Sequence, residues 1–177
     1  PSPAISVSGT AWAISEPTAA SARTLRAAVD VVVAVVRPGS ADLAELLRAE
    51  DCLVLEAARA GEGMGASLAA AAQYLRVLPE PPGAVLVALA DMPWISRASL
   101  DAVLDGLRHA AMAAPSYQGQ RGHPVGFRAE LLPQLAALGA DEGARRLLRQ
   151  PGLYLAEVDD PGVLRDVDTP ADLDGAG

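Results

Sequence analysis

Lysine is missing from this 177-residue chain, so all fourteen basic side chains are arginines. An anionic ligand would therefore have to be met by guanidinium groups, backbone amides or a metal ion. Cysteine occurs once, as Cys52. A lone cysteine excludes an internal disulfide and points to a reducing compartment, and inside CLVLE it reads as a small core residue rather than a nucleophile. With two histidines and one cysteine, a zinc site lacks ligands. Aromatic residues make up only 3% of the chain, which leaves few candidates for base stacking. The net charge of −8 argues against a nucleic-acid surface or an anionic membrane as partner. There is no run of eighteen apolar residues, no secretory leader pattern and no G-x-S-x-G. The expectation is a soluble, cytoplasmic protein with no nucleic acid or membrane partner and no serine triad.

What the chain does have is a 51% hydrophobic composition and one stretch around which the rest can be ordered, AVLVALADMPW at residues 84–94. An unbroken apolar run reads as a strand buried on both faces, the habit of a parallel sheet covered by helices. Asp91 follows at its carboxyl end, the edge that faces the ligand crevice in open α/β sheets. The residue reads two ways, as a substrate or metal ligand and as a turn cap.

Taken in order, PSPAISVSG (1–9) reads as a flexible arm and TAWAIS (10–15) as a first strand. Residues 16–28 are compatible with a helix. Residues 29–36, nearly all β-branched, form the strongest strand signal and end at Arg37, Pro38 and Gly39. Ser40 is placed to cap a helix bearing Leu43, Leu46 and Leu47, and residues 52–56 form a third strand. GEGMG at 61–65 is a loop leading into an alanine-rich helix from about Ser67, with Leu68, Ala71, Ala72 and Leu75 inward. Ser96 caps the next helix, with Leu100, Val103, Leu104 and Leu107 at helical spacing. Strands at 112–117 and 124–127 flank the QGQRG turn as a hairpin, and short helices are expected at 131–138 and 141–149. A last strand at 153–158 precedes a turn and helix over 166–173. This pattern predicts one domain over 1–177, a three-layer α/β fold with a mostly parallel sheet and an antiparallel hairpin insertion.

Three clusters could carry chemistry. Asp91 and the DVD at 166–168 lie after separate strands, so Asp91 and Asp168 could share a Mg²⁺, an ion usually held by one or two carboxylates plus phosphates and water. GEGMGAS could bring backbone N–H groups to a nucleotide, although it matches neither G-x-G-x-x-G nor the P-loop, and its glycines serve equally as turn residues. Arg121, Gly122, His123 and Pro124 form the third cluster, in which His123 either faces a pocket or satisfies a buried carbonyl.

Together, GEGMGASL, ALADMPW, APSYQGQRGHPVGF, ADEGARRLL and VDDPGVLRDVDTPADL resemble the MobA-like nucleotidyltransferases, most of all the molybdenum cofactor cytidylyltransferases. The resemblance implies a Rossmann-like nucleotidyltransferase sheet and the transfer of CMP or GMP from CTP or GTP to the phosphate of molybdopterin or its molybdenum form, with release of pyrophosphate. It implies Asp91 and Asp168 as catalytic Mg²⁺ ligands, and Gly63, Met64, Gly65 and Ser67 together with Asp91 at the nucleotide. Gly122 and His123 would lie on the acceptor side, and a molybdoenzyme is an implied partner. The alternatives are a non-catalytic cofactor carrier of the same fold and a transferase acting on another phosphorylated acceptor. One departure stands out, because the family opens with a strand followed by L-A-A-G-x-S-x-R-x-G-x-x-K, and this chain has none of it. Either that segment is missing near Ser15 and Glu16, or the loop has been lost together with the activity. The completeness of the other motifs favours the first.

Overall fold

The computed structural model describes residues 4–7, 15–140 and 143–167. Its centre is a mixed sheet whose parallel half is built first. Strand β1 (Ala4–Val7) is followed by helix α1 (Ser15–Ala28), β2 (Val32–Val36), α2 (Ala41–Ala49) and β3 (Leu53–Glu56). β2 pairs parallel with both β1 and β3. The chain then returns through α3 (Met64–Arg76) to place β4 (Ala84–Leu89) on the free side of β1, again parallel. The winding direction reverses between β1 and β4: β1 leads to β2 through α1 on one face of the sheet, whereas β4 is reached through α3 on the other. That leaves a crevice at their carboxyl ends.

After α4 (Arg97–Gly106), the second half consists of β5 (Met112–Tyr117), β6 (Gln120–Arg121) and β7 (Val125–Arg128). β7 runs antiparallel between β4 and β5. α5 (Leu132–Ala136), a 3₁₀ turn at Gly143–Arg149 and β8 (Leu153–Glu157) follow, with β8 parallel to β5. The expected parallel sheet with an antiparallel hairpin insertion is present.

Alternation along the strands divides the core into two layers. Val33 and Val35 of β2, Val85 and Val87 of β4 and Phe127 of β7 pack with Leu68, Ala72 and Leu75 of α3. Val32, Ala34, Leu86 and Ala88 point the other way, against Leu25 of α1 and Leu100 and Val103 of α4. Each fully buried aliphatic side chain contributes roughly 1.5–3 kcal/mol, which is how an Ala, Leu and Val core compensates for scarce aromatics. The faces of α3 and α4 read from spacing are buried as expected, with Leu104 only partly so, while on α2 Leu47 is buried and Leu43 and Leu46 are half-buried.

Several local expectations are corrected. The stretch read as a flexible arm contains β1, which lies between β2 and β4. Flanking proline and glycine disguised the short AISV segment, while pairing on both edges makes it a central strand. Of the TAWAIS strand, residues 10–14 lie outside the described residues and Ser15 opens α1. The connection from β1 to α1 is thus residues 8–14, SGTAWAI, which contains no basic residue. α3 starts at Met64 rather than near Ser67, and Ser40 sits at a helix start without a side-chain capping bond. The helix expected over 141–149 is a 3₁₀ turn from Gly143; positions 141 and 142 and the terminal helix over 168–173 lie outside the described residues. Among the described residues no helix is long and apolar enough to cross a membrane.

Candidate functional site

The site is built at the carboxyl edge of β4 because β7 runs against it. Val87 is paired with Val125, so continuing this register brings the residues just before β7 level with the end of β4. The return from β5 is not one regular strand. Ser116 pairs with Arg121, whereas Ala113 pairs with Gly126; across Gly122–Pro124 the register slips by two residues. His123 and Pro124 therefore leave the ladder, as a bulge does. The backbone N–H of Gly122 donates to Pro115 O at 2.9 Å, and that of His123 to Val163 O at 2.9 Å. A side chain at Gly122 would overlap the Val163 carbonyl, so glycine is what allows the 160–167 segment to lie so close.

The glycine-rich loop forms another wall. Gly63 has φ +144° and precedes the first turn of α3, a conformation that disfavours a side chain. A Cβ there would fall 2.5 Å from Ala140 O. Gly65 is buried, donates its N–H to Ala140 O at 3.1 Å, and would overlap the Gly139 carbonyl if it carried a methyl group. These glycines press the start of α3 against the 139–143 turn. Met64, 42% exposed, stands at the lip, while Ser67 is only 1% exposed and lines a smaller recess of 210 Å³ with Arg37 and Glu62.

Between these walls lies a cleft of 510 Å³, within the range of small-molecule sites. Its lining brings together Gly63, Met64, Gly122 and His123, with Arg121 and Arg145 beside them. Leu89 also lines it; Asp91, two residues later, is half-buried and is not among the lining residues. Ser67 belongs to the adjoining recess, and Gly65 to the packing beneath.

The 160–167 segment crosses this edge as a strap. Asp160 accepts from the Ser99 hydroxyl at 2.6 Å, the Ser96 N–H at 2.8 Å and the Gly162 N–H at 2.9 Å. Burial pushes its carboxyl up, but these hydrogen bonds together outweigh that and hold it below the usual carboxylate range. Farther along, the Arg165 guanidinium lies 4.3 Å over the Trp94 ring, a cation–π contact. The Val167 N–H donates to Asp91 O at 2.8 Å. Asp168 itself lies outside the described residues.

His123 is held in its neutral form. Burial lowers its pKa most, the Arg121 and Arg145 charges lower it further, and Asp166 opposes them. Its Nδ1 is buried and has no hydrogen-bond partner among the described residues. Cys52, in contrast, is inert: burial pushes its thiol up to about 11. The sequence pattern groups Arg121 with His123 without giving it a role, and gives Arg145 none. The signal that could have found both is the missing lysine, which leaves arginine as the only side-chain cation of fixed charge.

The family model of the MobA-like NTP transferase domain matches residues 18–157. The chain is 36% identical over 93 residues to the purine catabolism protein PucB of Bacillus subtilis (strain 168), across 51% of this chain and 45% of that protein. The match therefore spans less than half of that relative's length. The fold is similar to Rv0371c of Mycobacterium tuberculosis H37Rv, solved in complex with manganese (TM-score 0.76, 22% identity, 98% of this chain and 96% of that one). It is also similar to 4-diphosphocytidyl-2C-methyl-D-erythritol synthase of Anaerococcus prevotii DSM 20548 (TM-score 0.71, 12% identity, 97% and 92%). With the family match covering most of the sequence and the fold agreeing with it, this chain belongs to the MobA-like NTP transferase domain family.

Proposed function

We propose that the protein is a Mg²⁺-dependent nucleotidyltransferase that moves CMP, or GMP, from CTP or GTP onto the phosphate of molybdopterin or the molybdenum cofactor. The observation that carries this reading is the cleft at the reversal of the sheet, lined by Gly63 and Met64 of the glycine loop, by Arg121, Gly122 and His123, and by Leu89, two residues before Asp91. Gly63 to Ser67 would approach base and ribose, and Gly122 and His123 the acceptor.

The donor set fits a hard divalent cation. Asp91 offers carboxylate oxygen at the carboxyl edge, with Oδ1 shielded from solvent, and the residue preceding Asp168 is hydrogen-bonded to the Asp91 backbone. Among the described residues there is no cluster of three or more His, Cys, Asp or Glu that could hold a metal by itself. Mg²⁺ suits such a site, because substrate phosphates and water complete its coordination. Asp91 and Asp168 would hold it, and when bound it supplies charge neutralisation at the phosphates.

In the proposed reaction an acceptor phosphate oxygen attacks the nucleotide α-phosphorus in line. The new oxygen–phosphorus bond forms as the bond to the departing pyrophosphate breaks. The protein's own contribution is positioning and electrostatics. A neutral His123 at the cleft wall can donate or accept a hydrogen bond to a substrate without adding charge.

The test is pyrophosphate release from CTP or GTP with molybdopterin and Mg²⁺. Turnover is expected with one of the two nucleotides, and Asp91→Ala should lower it at least a hundredfold. Undiminished turnover in that variant would exclude the proposed role of Asp91, and no release with either nucleotide would exclude molybdopterin as the acceptor. A second reading, a carrier that binds the cofactor without nucleotide turnover, is favoured by the absence of any cation in SGTAWAI at 8–14. It predicts cofactor binding with no pyrophosphate.

A further inference from the structure

In a protein of net charge −8, the 510 Å³ cleft has an unexpected lining: among the described residues it carries two arginines and no carboxylate. Arg121 comes from β6 and Arg145 from the 3₁₀ turn at 143–149, elements far apart in sequence. Neither makes an ion pair among the described residues, although Arg23, Arg59, Arg97 and Arg108 do so elsewhere. Both act electrostatically on His123, which lines the same cleft. Two guanidinium groups with no ion pair among the described residues thus flank one apolar pocket, where a single anion could meet both.

The rest of the lining describes what is attached to that anion. Leu68, Val87, Leu89, Val125 and Leu148 contribute apolar surface, while Gly63, Gly122 and Gly143 leave backbone close to the space. Apolar walls with backbone amide edges suit a flat heterocycle, whose faces are apolar and whose rim hydrogen-bonds. Guanidinium forks match phosphate oxygens in pairs, which an ammonium cannot do.

We propose that Arg121 and Arg145 form a clamp for the phosphate monoester of the acceptor, whose heterocyclic body lies against the apolar walls. The proposal deepens the reading given above and rests on it for the identity of the acceptor. It assigns the clamp to the acceptor, leaving the donor's base and ribose to the glycine loop and its phosphates to the metal. Opposite an apolar pocket, the clamp would reject the dephosphorylated acceptor before any chemistry begins.

The test is a fluorescence titration with 6-hydroxymethylpterin phosphate and with the unphosphorylated 6-hydroxymethylpterin, without nucleotide. Wild-type protein should bind the phosphate at least tenfold more tightly. R121Q/R145Q should lose that preference while keeping its affinity for the alcohol; both arginines are exposed, so the fold should survive. Equal binding of the two pterins by wild-type protein, or an intact preference in R121Q/R145Q, would overturn the clamp. So would a tenfold loss of CTP or GTP affinity in R121Q/R145Q with pterin phosphate binding unchanged, because the pair would then belong to the donor. Pyrophosphate release is measured separately. Preference without turnover refutes molybdopterin as the acceptor and leaves the clamp, whereas turnover without preference does the reverse.

Discussion

The two halves of the sheet reach the same edge by different means. In the parallel half, β3, β2, β1 and β4 all end on one side, so each following loop comes to the crevice through regular winding alone. In the antiparallel half, the residues before β7 reach that edge because β7 runs in the opposite direction. They leave the ladder because the register slips. The regular half positions a carboxylate at Asp91 and a glycine loop, and the irregular half supplies Arg121, Gly122 and His123. Regular topology can make a crevice, but side chains that must leave a ladder need an interruption in it.

The comparison can be broken in stages. The largest effect is expected beneath the site, where both halves meet the same core layer. Phe127→Ala, at a position with no exposure, should cost about 3–5 kcal/mol, read as a fall in the urea midpoint. Glycine substitutions then separate the walls. Gly65→Ala forces a methyl group into the Gly139 carbonyl and Gly122→Ala into that of Val163; each should cost roughly 1–3 kcal/mol. Gly61→Ala, with only the flexible Arg37 side chain at 4.0 Å, should leave the midpoint nearly unchanged. Equal stability of all three variants would show that neither wall depends on close backbone approach.

A smaller effect is expected at the strap. The Asp160 carboxyl is held below its unfolded pKa of about 3.9. It therefore contributes stability above that value and loses it as pH falls through the folded pKa. Asp160→Asn should cost about 1 kcal/mol at pH 7, allowing for partial exposure, and the difference should shrink below about pH 4. A difference that stays constant down to pH 3 would remove the carboxylate from this account. The smallest effect is a titration: His123, followed by NMR, should titrate below the ordinary value of about 6.5. Arg121→Gln should move it upward, because a neighbouring cation that disfavours imidazolium is gone.

Much of this arrangement could be read from residue patterns. The apolar run at 84–90, the β-branched run before Arg37 and the spacing of Leu68, Ala71, Ala72 and Leu75 signal burial through composition and period, which act locally. AISV escaped because four residues carry too little periodicity, and its centrality comes from pairing with β2 and β4. Arg145 escaped for a related reason: ADEGARRLL reads as a helix with favourable end charges, and only its packing against the start of α3 turns it toward the cleft.

By itself, then, the order of residues determined the α/β class, the two-sided burial of the strands and the position of Asp91 after β4, because hydrophobic period and turn chemistry are properties of neighbours along the chain. Tertiary structure alone decided that Gly63, Arg121, His123 and Arg145 share one cleft. Their meeting depends on the reversal between β1 and β4, the antiparallel course of β7 and a two-residue slip. Those are relations between strands distant in sequence, and the free energy that sets them is released only when the whole sheet closes on its two layers of helices.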